Sequence, residues 1–419
     1  MSEIVLKHVT KRWGKFVGVR DLNMVIKDHG FVTLLGPSGC GKTTTLRMIA
    51  GLETPTSGQI LIDGVPVFDS EKGINLSPDK RDVGFLFQNY ALWPHMTVYQ
   101  NIAFGLENLK WKKEDIRARV DELLKLLKIE EFEKRYPAEL SGGQQQRVAI
   151  ARTLAPKPKV LFMDEPLSNL DAKLRLEMRT ELKRLHNTTN STFVYVTHDQ
   201  LEAMTLATEV CLMKNGVLQQ YEPPLAVYAN PNNKFVADFV GNPSMNFVPG
   251  HVTKKIDDSS CEIEFMGAKA IFKSNNPIDF ETLTTEHEVE NYDDEKFETK
   301  KKFKLSFKKK EEKEALPEEE TVVEKAPKDM TAITVGIRPE HIKLIKEGGI
   351  DAEIYSSLPG GMETIVKVKR NEDVLTSVEF GIVDYPVDTK VHLTFTSDNI
   401  VIFDDETEKT IGIGSLELL

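Results

Sequence analysis

A glycine-rich octapeptide near the N-terminus carries the strongest chemical signal in this sequence. "GPSGCGKT", Gly36 to Thr43, fills every fixed position of the phosphate-loop pattern, between an apolar segment and a helix-forming one. The glycines let the backbone wrap round phosphates, so that amides of the loop point inward. Lys42 is expected to meet the β- and γ-phosphates, and Thr43 to offer a hydroxyl to magnesium. The predicted nucleotide-binding residues here are Gly36, Pro37, Ser38, Gly39, Cys40, Gly41, Lys42, Thr43 and Thr44.

Two adjacent carboxylates end a second apolar segment, "VLFMDE", Val160 to Glu165. Consecutive side chains on a strand point to opposite faces, so the two acids are expected to have different roles. Asp164 suits the magnesium shell, as the aspartate at a strand end does in phosphate-loop enzymes. Glu165 is then expected to face the γ-phosphate and to polarise an attacking water.

Three further side chains follow or precede apolar segments at positions that a nucleotide could reach. His198, in "YVTHDQ", lies at the sheet edge where ligands bind in such folds, and is expected to contact the γ-phosphate. Gln88, in "FLFQNY", could reach the metal or the water. Trp13, in "KRWGKF", lies in a predicted antiparallel strand, where its ring could stack on a nucleobase.

A second phosphate-type signal comes later in the chain. "LSGGQQQR", Leu140 to Arg147, places a serine and two glycines directly before a polar helix. Serine is a good N-cap, and glycines let a ligand approach the backbone. Exposed amides at a helix start bind anions, and phosphate is the usual one. The chain thus carries two phosphate-type sites, and one bound nucleotide does not account for both.

Residues 1–235 are predicted to form an α/β domain with a mainly parallel sheet. "FVTLL", "VLFMD" and "TFVYV" are short β-rich segments, each followed by helical sequence. Asp63-Gly64 and Asn215-Gly216 are hairpin signals that add antiparallel strands. Between them, helical spacing predicts a one-faced amphipathic helix. Its apolar positions are Ile116, Val120, Leu123, Leu124 and Leu127.

Residues 236–419 are predicted to form a small β-barrel-like domain, because short β-prone segments replace the helical patterns there. A charged insertion interrupts this domain at about residues 280–330. Residues 296–328 contain 19 Lys or Glu among 33, and cannot bury enough apolar surface to offset the entropy of ordering. We expect a solvated, flexible insertion. The alternative is a docking segment whose lysines would meet anionic lipid and whose glutamates would meet a basic partner.

The composition favours a folded protein of a reducing compartment. At 419 residues the chain has room for two or three domains. Its net charge of −11 argues against a general nucleic-acid binder. Its three cysteines are far apart and odd in number, which is not a disulfide framework. The sequence has no signal-peptide core and no apolar run of roughly 18 residues, so we expect any membrane role to come through a partner.

Together these motifs resemble the nucleotide-binding subunit of an ABC transporter. The resemblance covers the whole first domain, and it includes the signature "LSGGQ", Leu140 to Gln144, and the loop "SNLD", Ser168 to Asp171. It implies the phosphate-loop ABC ATPase fold, with an antiparallel β subdomain and a helical subdomain. It also implies binding of ATP and Mg²⁺, with Glu165 and His198 as catalytic residues. The implied magnesium ligands are Thr43, Gln88 and Asp164.

The same resemblance accounts for the second phosphate-type site. In this family two subunits lie head to tail, and the signature of one closes over the γ-phosphate that the other binds. This implies a homodimer, or a heterodimer with a close homologue, that ATP holds together and hydrolysis releases. The residues implied to act in trans are Ser141, Gly142, Gly143, Gln144 and Asp171.

The second domain resembles the OB/TOBE-type regulatory domain of maltose- and glycerol-phosphate-type importer ATPases, through "GNPSMNF" and "VGIRPEHI". The resemblance implies carbohydrate uptake, two transmembrane permeases, an extracytoplasmic solute-binding protein, and a peripheral position on the cytoplasmic face of the membrane. The permeases are expected to dock near Tyr90–Met96, in a groove lined by Tyr90, Leu92, Trp93, Pro94 and Met96. The charged insertion departs from the family pattern.

Other functions remain as alternatives. A polyamine or inorganic-ion importer uses ATPases with the same type of tail domain. Soluble ABC ATPases that act on DNA carry long heptad inserts, and those that act on ribosomes carry two ATPase domains; neither feature is in this sequence. A non-hydrolysing nucleotide sensor or gene-regulatory protein is a further alternative, which Glu165 and His198 oppose.

Overall fold

A computed structural model describes residues 3–189, 191–278, 280 and 331–419. The chain divides into two units, Met1–Met245 and Asn246–Leu419. The charged insertion predicted at about residues 280–330 lies outside the described residues, except for Phe280.

Strands and helices alternate through most of the first unit, as the short apolar segments predicted. In chain order its elements are β1 (Ile4–Trp13), β2 (Phe16–Ile26), β3 (Phe31–Leu35), α1 (Lys42–Ala50), β4 (Ser57–Ile62), β5 (Val65–Asp69), β6 (Ile74–Asn75), β7 (Val83–Leu86), α2 (Val98–Asn108), α3 (Lys113–Leu127), α4 (Gly142–Leu154), β8 (Val160–Asp164), α5 (Ala172–Thr188), β9 (Thr192–Val196), α6 (Gln200–Leu206), β10 (Glu209–Lys214), β11 (Val217–Glu222), α7 (Pro224–Ala229) and α8 (Lys234–Phe239). Helix α3 is the predicted amphipathic helix, and all its predicted apolar positions are buried. Within the described ranges, none of the helices is both long and apolar enough to cross a membrane.

A mainly parallel sheet runs through this unit. Its strand order is β11-β10-β3-β9-β8-β7, and all described neighbours are parallel except the β10–β11 hairpin. Alternate residues of β8 belong to different apolar clusters, with Leu161 and Met163 in one and Val160 and Phe162 in the other. Both faces of the sheet are therefore covered, which explains why every residue of β3, β8 and β9 is buried and most of them are apolar. Residues that follow these parallel strands meet at one edge.

A second sheet of this unit is antiparallel, with the order β2-β1-β4-β5-β6. Both predicted hairpins are confirmed: Asp63-Gly64 joins β4 to β5, and Asn215-Gly216 joins β10 to β11. All four turn residues have a positive φ, between 49° and 78°, as a type I′ turn requires. Strands β1 and β2 also pair directly, so that Trp13 lies opposite Phe16 at their turn.

The first unit extends past residue 235, where the sequence analysis placed the domain boundary. Helix α8 spans that position; its residue Val236 and the following Val240 share an apolar cluster with Val210 and Leu212 of β10. Because this cluster holds α8 against the sheet, the division between the two units falls after Met245.

The second unit is rich in strands. In chain order they are β12 (Asn246–Lys255), β13 (Ser260–Phe265), β14 (Ala268–Ser274), β15 (Thr331–Ile337), β16 (Ile342–Ile345), β17 (Ile350–Pro359), β18 (Glu363–Arg370), β19 (Asp373–Phe380), β20 (Lys390–Phe395), β21 (Ile400–Asp404) and β22 (Thr410–Leu418). A closed barrel, β12-β13-β14-β22-β21-β15, confirms the predicted barrel-like domain. The sequence analysis did not separate from it the antiparallel sheet β16-β20-β17-β18-β19. The barrel and the sheet share one core, in which Phe265 and Phe395 have ring centroids 5.7 Å apart.

Candidate nucleotide site

The phosphate-loop segment connects β3 to α1 at the edge of the parallel sheet. Gly36, Gly39 and Gly41 have φ values of 145°, 81° and 102°, which side chains rarely adopt. A Cβ on Gly36 would lie 2.3 Å from the Met213 carbonyl oxygen, and one on Gly41 would lie 2.5 Å from the Gly18 carbonyl oxygen. Around Gly39 a Cβ would meet nothing within 4 Å. The loop is thus packed on one side and open at Gly39, where a phosphate could approach its backbone.

Lys42 is buried in this loop. Its ammonium donates hydrogen bonds to the carbonyl oxygens of Gly36 at 2.7 Å and Pro37 at 2.9 Å, and lies 3.8 Å from Cys40 Sγ. Burial raises the pKa of the Cys40 thiol, so this neighbour is uncharged at neutral pH. These partners are neutral, and a buried charge without a counter-ion is costly. The loop therefore fits an anion such as a nucleoside triphosphate, whose phosphate oxygens make stronger hydrogen bonds to an ammonium than carbonyl oxygens do.

The side chains of α1 that follow the loop meet the end of β8. Thr43 Oγ1 donates a hydrogen bond to Asp164 Oδ1 at 2.9 Å. Arg47, one turn later, lies 3.4 Å from the other carboxylate oxygen through Nη2. The sequence analysis missed Arg47, although residues four apart on a helix share a face. The hydroxyl and the carboxylate are adjacent oxygen ligands, as Mg²⁺ prefers.

Metal binding at this edge does not need a large protein ligand set. Among the described residues, no group of three or more His, Cys, Asp or Glu side chains could hold a metal ion together. Mg²⁺ at phosphate sites takes one or two carboxylates and completes its octahedral shell with water and phosphate oxygens. The Thr43–Asp164 pair is compatible with that chemistry.

Glu165 directly follows β8, and its side chain has different neighbours from that of Asp164. Its amide donates to the Val196 carbonyl oxygen of β9 at 3.1 Å. Its Oε2 lies 3.4 Å from Gln88 Nε2 and 3.5 Å from His198 Nδ1. Its φ is 45°, a left-handed conformation that is uncommon for a residue other than glycine. Such backbone strain is concentrated at functional sites.

The structure thus brings together predicted site residues from four segments of the chain. They follow or end the neighbouring strands β3, β9, β8 and β7, so the sheet order explains their meeting. We call them the strand-end cluster: Thr43, Gln88, Asp164, Glu165 and His198.

The loop between β8 and α5 adds contacts that the sequence analysis did not assign. Ser168 Oγ lies 3.3 Å from Gln88 Nε2 and donates to the Glu165 carbonyl oxygen at 2.9 Å. Its position three residues after Glu165, where a hydroxyl can close a turn, was the available signal. At the other end of the loop, Asp171 caps α5 by accepting a hydrogen bond from the Leu174 amide at 3.0 Å.

Trp13 is 45% exposed at the β1–β2 turn. Its ring stacks on Phe16 with centroids 6.1 Å apart, and Lys11 Nζ lies 5.1 Å from its centroid. A Cβ on Gly18 would lie 2.4 Å from Trp13 Cζ3, so the ring rests directly against the Gly18 backbone. These neighbours hold the ring while part of it stays accessible to a nucleobase.

The signature segment, Leu140 to Gln144, begins helix α4. Ser141 Oγ accepts a hydrogen bond from the Gln144 amide at 3.4 Å, and Gln144 Oε1 accepts one from the Ser141 amide at 2.8 Å. This reciprocal pair is a capping box. Ser141 and Gly142 are exposed, whereas Gly143 is buried, and a Cβ on it would lie 2.6 Å from Leu174 Cδ2. The segment is an accessible helix start, and its capping contacts are with itself rather than with the strand-end cluster.

The prediction that Tyr90 lines a surface groove with Leu92, Trp93, Pro94 and Met96 is wrong for Tyr90. Its ring is buried in the core, and its hydroxyl lies 3.3 Å from the Pro166 carbonyl oxygen. Its aromatic character serves internal packing, so it does not line the groove. The other predicted groove residues keep some exposure; they are Leu92, Trp93, Pro94 and Met96.

Comparisons with known proteins agree with this geometry. Residues 19–168 match the family described as ABC transporter. Over 254 residues, 61% of this chain and 68% of the relative, the chain is 54% identical to the trehalose/maltose import ATP-binding protein MalK of Thermococcus litoralis. Over 421 residues, 98% of this chain and 100% of the relative, it is 37% identical to the ABC transporter ATP-binding protein YurJ of Bacillus subtilis. Among solved structures, cbiO1 of Clostridium perfringens, part of the ABC transporter complex cbiONQ, covers 54% of this chain and 90% of its own at a TM-score of 0.50 and 32% identity.

The similarity therefore reaches both units, because the match to YurJ spans nearly the whole chain. It confirms the predicted family, fold class and ATP binding. The phosphate loop and the strand-end cluster belong to an ATPase, and this chain is a member of the family of ABC transporter ATP-binding proteins.

Proposed function

We propose that this chain energises carbohydrate import across a membrane, with the strand-end cluster as its hydrolytic centre. The observation that carries the proposal is the pairing within this cluster. Thr43 Oγ1 lies 2.9 Å from Asp164, while Glu165 lies within 3.5 Å of both Gln88 and His198. Thr43 and Asp164 offer oxygen ligands to a metal. Glu165 offers a carboxylate base, and Gln88 and His198 hold it in position.

The proposed hydrolysis divides its work between the loop and the cluster. Lys42 holds the β- and γ-phosphates in place of its present carbonyl partners, and Trp13 stacks on the base. Glu165 polarises a water that attacks the γ-phosphorus, and it takes the proton of that water. The bond between the γ-phosphorus and the bridging oxygen breaks, and ADP leaves with the electron pair. His198 donates a hydrogen bond to the γ-phosphate.

Thr43, Gln88 and Asp164 are the proposed magnesium ligands. Bound there, Mg²⁺ would neutralise phosphate charge as a Lewis acid. Asp164 is buried, so its carboxylate keeps a stronger attraction for a cation than an exposed one would. Arg47 contacts Oδ2 of Asp164 through Nη2 and helps to fix the orientation of that carboxylate.

The signature segment is proposed to complete the ATP site of a second subunit, in a homodimer or a heterodimer with a close homologue. Ser141 and Gly142 are exposed at the start of a 13-residue helix, whose positive end favours an anion. Such a helix-end interaction contributes about 0.3–1 kcal/mol when exposed and up to ~2 kcal/mol when partly buried. Residues proposed to act there in trans are Ser141, Gly142, Gly143, Gln144 and Asp171.

The proposed partners beyond the dimer are two transmembrane permeases and, through them, an extracytoplasmic solute-binding protein. Leu92, Trp93 and Met96 are partly exposed apolar residues that could receive a helix of a permease. Arg152 supports this segment, since its guanidinium stacks 4.7 Å from the Trp93 ring centroid. The chain would then lie peripherally on the cytoplasmic face of the membrane.

Carbohydrate is favoured as the solute because the relative at 54% identity is named for trehalose/maltose import. The string "GNPSMNF", at the junction of the two units, and the string "VGIRPEHI" in the second unit point the same way. Polyamine or inorganic-ion import is the alternative.

The test is to purify the full-length chain from gently solubilised native membranes and to identify its partners. The complex is then reconstituted in vesicles with its binding protein, and ATP-dependent uptake is measured for labelled maltodextrin, spermidine and phosphate. Carbohydrate uptake that stops in the Glu165→Gln variant is the expected result. Uptake of spermidine or phosphate alone would support the alternative. Recovery of only soluble partners would contradict a role in import.

A further inference from the structure

The guanidinium of Arg175, on the first turn of α5, lies between the loop 168–171 and the segment 199–202, which includes the start of α6. Its Nη2 donates to the Leu170 carbonyl oxygen at 3.0 Å, within the loop 168–171. Its Nη1 lies 3.5 Å from Asp199 Oδ2, and its Nε lies 3.8 Å from Glu202 Oε1. Burial raises the pKa of the Glu202 carboxyl, and the positive charge of Arg175 opposes that shift.

The two acids that Arg175 contacts fix the segment around His198. Glu202 is buried and accepts hydrogen bonds from the hydroxyls of Thr197 and Tyr195, both at 2.7 Å. Thr197 Oγ1 in turn accepts one from the Asp199 amide at 2.9 Å. The residues on either side of His198 are therefore held by one buried network, to which Arg175 contributes the positive charge.

The other side of the same turn supports the signature segment. A Cβ on Gly142 would lie 3.9 Å from Leu170 Cδ2, and one on Gly143 would lie 2.6 Å from Leu174 Cδ2. The start of α4 thus packs on Leu170 and on Leu174, the residue next to Arg175. A displacement of this turn would be transmitted both to the signature segment and to the segment that carries His198.

We propose that Arg175 is a positioning residue that couples the two half-sites of one chain. Under the proposed function, His198 contacts the ATP bound by its own chain, whereas Asp171 and the signature segment contact the ATP bound by the partner subunit. Arg175 fixes the position of His198 relative to Asp171 and the signature segment. This inference rests on the proposed function, because it uses the roles given there to His198 and the signature segment. Arginine suits the position, since its planar guanidinium faces the Leu170 carbonyl oxygen and the carboxylates of Asp199 and Glu202 at once, whereas a lysine ammonium is a compact point charge.

The first test compares Arg175→Gln with Lys173→Gln in the full-length chain. Lys173 is exposed on the same helical turn, so the control removes the same charge without the bridge. We expect Arg175→Gln to lower kcat roughly tenfold, a typical size for the loss of one coupled contact network. KM and the affinity of the monomer for ATP should stay unchanged, because Arg175 does not contact the phosphate loop. Arg175→Lys should recover part of kcat.

Double-mutant cycles separate positioning from general support of the fold. In a His198→Ala background, and separately in an Asp171→Ala background, Arg175→Gln should lower kcat by much less than tenfold. Equal fold losses in all backgrounds would overturn the coupling. So would a parallel loss of ATP affinity and thermal stability with no separate effect on kcat.

The failure of this inference is distinguishable from the failure of the proposed function. If His198→Ala left kcat unchanged, the role proposed for His198 would be wrong, and the coupling would fall with it. If His198→Ala lowered kcat but the cycles were additive, only the coupling would be wrong.

Discussion

The strand-end cluster and the signature segment are both suited to phosphate, yet they are held in different ways. Members of the cluster contact one another across the sequence, as Thr43 does with Asp164 and Glu165 does with His198. In the signature segment, Ser141 exchanges hydrogen bonds with Gln144 three residues away. One region is assembled from distant segments, and the other is a single helix start.

This difference follows from the elements that carry each region. A parallel sheet gathers the ends of neighbouring strands at one edge, so a site forms within the chain. A helix start offers only its own amides and cap, and a second surface is needed to complete a site there. Under the proposed function, one chain therefore contributes the hydrolytic half of one ATP site and the closing half of another.

Glu165→Gln is the change with the largest expected effect, and it acts on the cluster alone. ATP turnover should fall by about 10²–10⁴-fold, because the side chain keeps its shape but loses its capacity to accept a proton. ATP binding should persist, and an ATP-bound dimer should accumulate in light scattering. Glu177→Gln, at an exposed position of α5, should leave turnover unchanged. Fast turnover in Glu165→Gln would remove Glu165 from the hydrolytic role.

Gly41→Ala and Gly142→Ala compare the backbone of the two regions. At Gly41, φ is 102° and a Cβ would lie 2.5 Å from a backbone oxygen, so alanine should destabilise the first unit by about 3 kcal/mol. A Cβ on Gly142 would have its nearest neighbouring atom 3.9 Å away, so alanine should raise the stability of the first unit by about 1 kcal/mol or less.

Urea unfolding followed by tryptophan fluorescence measures both changes. Trp13, Trp93 and Trp111, the three tryptophans of the chain, all belong to the first unit, so the signal reports on that unit. Equal destabilisation by the two alanines would contradict the distinction between a packed loop and an open helix start.

Trp13→Ala should weaken binding of ATP by about 1–3 kcal/mol, through the loss of stacking on the base. Affinity for inorganic tripolyphosphate should not change, because the phosphate loop is intact. Titration of the monomer with each ligand checks this prediction. An unchanged affinity for ATP would leave Trp13 with a packing role only.

Ser141→Ala tests the signature segment, and its expected effect on turnover is smaller than that of Glu165→Gln. Turnover should fall about tenfold, the size expected for one hydrogen bond to a charged group. Loss of the N-cap should also cost about 1 kcal/mol of stability. The affinity of the monomer for ATP should be retained. A parallel collapse of that affinity would mean that Ser141 acts within its own chain, contrary to the proposed role in trans.

Much of the fold could be predicted because its signals are local. The amphipathic positions from Ile116 to Leu127 and the Asn215-Gly216 turn depend on spacing and on residue type, and both predictions are confirmed. The buried position of Tyr90 could not be predicted, because an aromatic residue in an exposed-looking loop gives no sign of which way it faces. The antiparallel sheet of the second unit was also missed, because the sequence of a β-prone segment does not determine which other segment it pairs with.

The sequence by itself determined the conformations and the chemistry available to the site. Glycine at Gly36 and Gly41 allows the backbone of the phosphate loop, and the adjacent residues Asp164 and Glu165, at the end of an apolar segment, provide two carboxylates. Only the tertiary structure decided which side chains meet. Arg47 reaches Asp164, and Arg175 reaches Asp199 and Glu202, because the strand order β3-β9-β8-β7 and the packing of α5 set distances between residues far apart in the chain. Such distances depend on many weak packing contacts at once, which no single motif encodes.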